Sequence, residues 1–360
     1  MTPLRVLIAG GGTGGHLYPG IAVARELRRR HPDATVTFAG TARGLEARVV
    51  PNEGLPLDLL RSAGLKGKSP IAIGRGLALL PLSGLDAWRI LSRRSPDLVI
   101  GVGGYSSGPV VLAAALRGIP TLLLEQNAVP GLTNRLLGRV VSAAAVSFES
   151  TVSYFGRRAF VTGNPVRPEF FGSGPAVVGG RPGILIFGGS QGAHAINVAM
   201  VEAAPRLAAH PGGMAITHQT GERDLEFVRD GYRKAGLAAR VEPFLFAMDR
   251  EMKAADLVIC RAGATTIAEL TASGRPAVLI PLPTATDDHQ RKNALLLAEA
   301  GAAEVIDQKD LRGDLLGERI GALAEDSQRR TAMSAAARRL ARPDAARAIV
   351  DRALALTGRA

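Results

Sequence analysis

A chain of 360 residues is long for a single core, and with 46% of them apolar it excludes wholesale disorder. Its one cysteine, Cys260, excludes a disulfide framework and fits a reducing compartment. The formal charge of +12 invites an anionic partner, yet aromatic residues are only 4% and do not interleave with the basic ones, so nucleic acid is not expected.

The first apolar run, Val6 to Gly10, is too short for the core of a signal peptide. Nowhere do about 18 uncharged apolar residues run together, so the chain reads as cytosolic. Strands are predicted at Arg5–Ala9, Thr35–Ala39, Leu98–Val102, Thr121–Leu124, Ala144–Ser147 and Ala159–Val161, with helices such as Gly20–Arg30 and Pro109–Arg117 between them. Strands that are apolar without alternation and separated by helices predict a parallel sheet covered on both faces, a doubly wound α/β domain. A Gly- and Pro-rich stretch at 172–183, GSGPAVVGGRPG, reads as a linker or surface loop. The pattern then restarts with a strand over Gly183–Phe187, followed by strands at Ala215–His218, Val241–Pro243, Leu257–Ile259, Ala277–Ile280 and Ala303–Val305. The last segment, Asp344 to Leu356, is predicted helical, with Ala345, Ile349 and Leu356 near one stripe. Two Rossmann-like units follow from this, and such units hold ligands outside the carboxyl ends of their strands.

Each unit opens on a glycine-rich turn after its first strand: AGGGTGGHLYPG at 9–20 and GGSQGAHAIN at 188–197, with a third such turn, GGYSSG, at 103–108. Turns of this kind bring backbone N–H groups close to a phosphate at the positive end of a helix, or they serve only tight packing. Gly10, Gly12 and Gly15 match the dinucleotide spacing, but the second strand ends Val36-Thr37-Phe38-Ala39-Gly40-Thr41 with no carboxylate for a ribose. Nicotinamide and flavin cofactors are therefore disfavoured, and no cofactor is expected. No Lys-Ser/Thr pair follows any turn, which excludes a Walker loop, and no His/Cys/Asp cluster has metal-ligand spacing. His16 sits where the first helix begins; it is placed either to act as a general base near neutral pH or to cap and pack.

Seven blocks, GGTGGHLYPG, GGYSSGP, EQNAVPGLTNR, TGNPVR, GGSQGAHAIN, CRAGATTIAEL and DDHQRKNA, occur in an order that resembles the MurG glycosyltransferases and span most of the chain. The resemblance implies a GT-B fold, two Rossmann-like domains facing a cleft. The expected division is an acceptor and membrane-facing domain at 1–164, a donor domain at 165–340, and a C-terminal helix at 341–360 packing back on the first. It also implies inverting, metal-independent transfer of N-acetylglucosamine from UDP-GlcNAc to the 4-hydroxyl of the muramoyl unit of undecaprenyl-linked lipid I, giving lipid II. A UDP-GlcNAc 2-epimerase on the same fold is the alternative. The resemblance assigns Ser190 and Arg167 to the donor diphosphate, and Ala264, Thr265, Thr266, Ile267 and Ala268 to the phosphates and uracil. Glu269 would meet the ribose hydroxyls, unless it is only a solvated first-turn acid, and Leu245 would border the uracil. Gln290 and Asn127 would hydrogen-bond the sugar; Thr13, Gly14 and Gly15 would line the cleft. His16 is the expected base, with Glu125 as runner-up.

The acceptor implied is lipid-linked. Segment 61–94 carries seven basic residues, Arg61, Lys66, Lys68, Arg75, Arg89, Arg93 and Arg94, against Asp86 alone, mixed with Ile71, Ile73, Leu77, Leu80, Leu82, Leu85 and Trp88. The mixture suits peripheral docking on anionic lipid at the cytoplasmic face of the inner membrane, or a helix packed on the sheet with a solvated basic face.

Overall fold

The computed structural model describes residues 3–42, 44–62, 79–172, 180–189 and 191–359. The chain divides into two units: residues 1–167 with 342–360, and residues 168–341.

In the first unit the elements run β1 (Arg5–Gly10), α1 (Gly14–Arg30), β2 (Thr35–Gly40), α2 (Glu46–Asn52), β3 (Leu57–Leu59), α3 (Leu80–Arg94), β4 (Leu98–Gly103), α4 (Ser107–Leu116), β5 (Thr121–Glu125), α5 (Leu132–Leu137), β6 (Ala143–Val146) and β7 (Ala159–Val161). They form a parallel sheet in the order β3-β2-β1-β4-β5-β6-β7. Successive side chains of a strand point to opposite faces. Val6 and Ile8 of β1 therefore join Ile21, Phe38 and Ile100 in one buried layer, while Leu7 and Ala9 join Val99, Val111 and Leu123 in the other. Both faces being dry explains the unbroken apolar runs. The C-terminal helix Ala345–Leu356 closes the first layer with Ile349, Val350 and Leu354, and Asp351 pairs with Arg30 of α1 at 2.5 Å.

The short strand β3 has no counterpart among the sequence-based expectations. Its centre is Asp58, a buried acid held by Arg93 at 2.7 Å and by Arg94 at 2.7 and 2.9 Å, so its burial rests on charge pairing that a hydropathy pattern does not register.

In the second unit the elements run β8 (Gly183–Phe187), α6 (His194–Ala208), β9 (Ala215–Gln219), α7 (Leu225–Lys234), β10 (Ala239–Glu242), α8 (Met248–Ala254), β11 (Leu257–Cys260), α9 (Ala264–Ser273), β12 (Ala277–Leu279), α10 (His289–Glu299), β13 (Ala303–Val305), α11 (Gly313–Glu325) and α12 (Ser327–Leu340). The parallel order is β10-β9-β8-β11-β12-β13. Strand order reverses beside β1 in one sheet and beside β8 in the other, the topological switch point where doubly wound sheets take ligands. Both glycine turns stand there. Among the described residues no helix is long and apolar enough to cross a membrane.

Candidate functional site

Because every strand is parallel, the loops after β1, β2, β4, β5 and β7 share one edge of the first sheet. Helix α1 begins within the first glycine turn, so Thr13, Gly14, Gly15 and His16 occupy its start. Thr13 is its N-cap residue, and its hydroxyl lies 3.2 Å from His16 Nδ1. The half-buried imidazole lies along Gly103 at the end of β4, where a Cβ would come within 2.6 Å of the ring. Gly103 is thus a glycine because the histidine needs its room. The adjacent Gly11 amide donates to the Gly103 carbonyl at 3.3 Å, locking the two turns together across the switch point.

Glu125 ends β5 and is buried. Its carboxylate accepts from Asn127 N at 3.0 Å, Asn127 Nδ2 at 3.3 Å, Gly131 N at 3.2 Å and Asn134 Nδ2 at 2.9 Å. Burial holds its pKa above the ordinary carboxylate value, against the opposing pull of the surrounding donors. The group shapes the loop that carries Asn127. Asn127 itself is half-buried, and its carbonyl accepts from the Thr151 hydroxyl at 3.1 Å. Arg167, expected with the second half, belongs to the first unit, with its guanidinium carbon 5.4 Å from the ring centre of Tyr18 on α1.

In the second unit the turn after β8 is followed by α6, while Leu245 follows β10, the run Ala264–Glu269 begins α9 after β11, and Gln290 lies in the first turn of α10 after β12. All four loops open at the carboxyl edge of that sheet. Gly263 caps α9, which has no acid in its first turn, so the N–H groups of Ala264, Thr265 and Thr266 form a helix start suited to an anion. Ile267 and Leu245 are buried, whereas Thr265, Thr266, Ala268 and Glu269 are half-exposed. Gln290 Oε1 accepts from the Leu282 amide at 3.0 Å and so braces the loop before it. In that loop Asp287 and Asp288 both take left-handed conformations, φ 54° and 55°, which a short polar side chain tolerates best. Ser190 lies outside the described residues.

Three features of this unit carry no local sequence signal. Gln219, buried at the end of β9, donates from Nε2 to the Gly189 carbonyl at 2.9 Å and accepts the Leu245 amide at Oε1 at 2.9 Å, tying the glycine turn to the Leu245 loop. Phe244 and Phe246 meet edge to face at 5.0 Å, and Phe246 is 92% exposed. Below the turn runs a polar chain. His218, with its pKa pushed down to about 3 by burial, is neutral, and Asn197 Nδ2 is committed to Asp224 Oδ2 at 2.8 Å and the Thr220 carbonyl at 3.0 Å. Asn197 Oδ1 must therefore accept from His218 Nε2 at 3.1 Å, which leaves His218 Nδ1 to accept from the Tyr232 hydroxyl at 2.7 Å. His194, at the start of α6, completes the chain through Nδ1 on Asp224 at 2.9 Å.

Comparison with known proteins agrees with this layout. Residues 6–146 match the glycosyltransferase family 28 N-terminal domain and residues 183–349 match the glycosyltransferase family 28 C-terminal domain. The chain is 49% identical over 359 residues to the UDP-N-acetylglucosamine–N-acetylmuramyl-(pentapeptide) pyrophosphoryl-undecaprenol N-acetylglucosamine transferase of Anaeromyxobacter sp. (strain K), covering 99% of this chain and 94% of that one. The crystal structure of Acinetobacter baumannii MurG superposes with a TM-score of 0.79 at 34% identity, over 98% of this chain and 100% of that one. A UDP-N-acetylglucosamine 2-epimerase reaches a TM-score of 0.73 over 99% of this chain and 97% of its own, but at 16% identity, a likeness of fold alone. The protein is a two-domain α/β glycosyltransferase of GT-B type, and it belongs to the MurG family of N-acetylglucosamine transferases.

Proposed function

We propose that this hexosyltransferase moves N-acetylglucosamine from UDP-GlcNAc to lipid I, forming lipid II for peptidoglycan. The observation that carries the reading is 49% identity across nearly the whole chain to a relative named for that reaction. Placement of the expected residues at the carboxyl edges of the two sheets is its physical support.

The division of labour follows the chemistry of each edge. Residues 165–340 would hold the donor and 1–164 the acceptor, with 341–360 packed on the latter. The N–H groups at the start of α9 and the turn carrying Ser190 receive the diphosphate, and Arg167 supplies a guanidinium suited to phosphate oxygens. Glu269 accepts the two ribose hydroxyls. Leu245 borders the uracil, with the exposed Phe244–Phe246 pair at the same turn as further apolar cover. Gln290 and Asn127 meet the sugar.

In the reaction the 4-hydroxyl oxygen of the muramoyl unit attacks the anomeric carbon from the face opposite UDP. The bond from that carbon to the diphosphate oxygen breaks, the configuration inverts, and UDP leaves with the bonding electrons. The hydroxyl proton passes to His16, steadied by Thr13. Glu125 serves as a positioning residue, because its oxygens are occupied by the loop that presents Asn127. Backbone N–H groups and Arg167 stabilise the charge on the leaving UDP without a bridging metal.

Membrane association rests on α3. Its inner stripe, Ser83, Ala87, Ile90 and Leu91, is buried, while Leu82, Leu85 and Trp88 form an exposed outer stripe with Arg117 stacked 4.9 Å from the Trp88 ring. A second apolar stripe beside cations suits an anionic bilayer surface at the cytoplasmic face of the inner membrane. Of segment 61–94, residues 63–78 lie outside the described residues. Changing Leu82, Leu85 and Trp88 together to Ser should abolish sedimentation with phosphatidylglycerol vesicles; unchanged sedimentation refutes this surface.

The test of function is direct. Purified protein with labelled UDP-GlcNAc should transfer sugar only when a lipid I analogue is present. Sugar isomerisation without acceptor would refute the reading.

A further inference from the structure

The first glycine turn already holds an anion, and the anion belongs to the chain. Glu46, the first residue of α2, is fully buried. Its Oε2 accepts from the Gly12 amide at 2.7 Å, and its Oε1 accepts from the Thr41 amide at 2.8 Å and the Thr41 hydroxyl at 2.9 Å. Three glycines from two turns crowd this side chain, for a Cβ on Gly11, Gly40 or Gly44 would overlap it. Gly11 and Gly12 hold φ of 143° and 85°, conformations open chiefly to glycine, and these aim the Gly12 amide inward. A carboxylate received by a glycine-turn amide beside a helix start is arranged as a ligand phosphate is in a nucleotide-binding turn.

We propose that Glu46 is the brace that holds the first glycine turn, and through that turn the positioning residue for His16. The connection is short. Gly12 is followed by Thr13, which caps α1 and touches His16 Nδ1, while Gly11 is bonded to Gly103, the glycine that makes room for the imidazole. Releasing the carboxylate frees the backbone on both sides of the histidine.

The catalytic readout of this inference rests on the transfer reaction proposed above; a second readout does not. In the full chain, Glu46→Gln keeps the side-chain volume but turns a donor toward one of the amides Glu46 now accepts from. Its kcat should fall about 10- to 100-fold, the scale of a misplaced catalytic group. The KM for UDP-GlcNAc should stay unchanged, and Glu46→Asp should fall between the two. Glu46→Ala should regain rate with added formate but not with chloride at equal ionic strength. Independently, hydrogen exchange at the Gly12 and Thr41 amides should quicken in Glu46→Gln while Gly192 exchanges as before. Wild-type kcat in Glu46→Gln, a kcat for Gln at or above that for Asp, or a folded Glu46→Ala without formate rescue overturns the proposal. If Glu46→Ala does not fold, the order Glu above Asp above Gln decides. Wild-type protein that transfers no sugar overturns the proposed function instead, and the exchange rates then decide the role of Glu46.

Discussion

The two glycine turns share a place in the fold and differ in what braces them. The first is braced by a carboxylate, Glu46, which accepts the Gly12 amide at 2.7 Å. The second is braced by a neutral amide, Gln219, whose Nε2 donates to a carbonyl of the turn, Gly189, at 2.9 Å. A carboxylate beside the first turn takes up its Gly12 amide, while the neutral brace adds no charge beside the second turn and the start of α6. Two turns of nearly the same sequence type thus have different electrostatic characters.

The largest expected effect falls on the turn that carries His16. His16→Ala should lower kcat by about 10²- to 10⁴-fold, the range for loss of a general base, with an unchanged KM for UDP-GlcNAc in steady-state transfer assays. A rise in donor KM instead would mean that the first turn shares in donor binding, and the contrast between the turns would collapse. Next comes Glu269→Gln, which weakens hydrogen bonds to a charged acceptor and should raise that KM about 10- to 100-fold. Its effect on kcat should be smaller.

Gln219→Glu is the most direct attack on the contrast, because it gives the second turn the brace of the first. It sets a carboxylate oxygen against the Gly189 carbonyl and should weaken UDP binding about tenfold or more by calorimetry. Gln219→Leu removes both hydrogen bonds without adding charge; it should cost about 1–3 kcal/mol in unfolding free energy but less in UDP affinity. If Leu weakened UDP more than Glu, geometry rather than charge would distinguish the turns.

A pH dependence of stability sharpens the comparison last. His218 has a folded pKa of about 3 against an ordinary 6.5, so the unfolded chain binds this proton first as pH falls. Its stabilising effect is full above about pH 6.5 and diminishes down to about pH 3. Between pH 7 and pH 5 the loss amounts to about 2 kcal/mol. Urea melts of His218→Asn, a variant without that proton site, should show a shallower decline over this interval than the wild type. Equal slopes would contradict a neutral histidine beneath the second turn.

Much of the fold was legible because both sheets are dry on both faces, so strands such as Leu98–Gly103 and Gly183–Phe187 stand out as unbroken apolar runs. The boundaries of the helices were less so. Helix α1 begins six residues before the expected start at Gly20, since Gly14 to Pro19 form its first turns despite poor propensity. At the site, glycine turns and the helix start at 264 declare themselves by composition. What composition conceals is bracing. The strand carrying Phe38 ends without an acid, yet Glu46 from the following helix reaches back to the first turn. Gln219 likewise looks like any polar residue at a strand end until both loops it joins are seen. These long-range pairings depend on tertiary placement, which no local spacing encodes.

The division of the chain has a consequence for how the protein is made. The second unit is an insertion: the first unit is interrupted after Arg167 and resumes only at Arg342. On the ribosome, therefore, the face of α1 that Ile349, Val350 and Leu354 cover stays bare while some 170 residues of another domain are synthesised and fold. The helix made after the second unit is the one that completes the first. Emergence of residues 342–360 is thus a folding event for the first sheet, and chains that stop short of residue 342 should contain a finished second unit and a first unit with an exposed apolar seam.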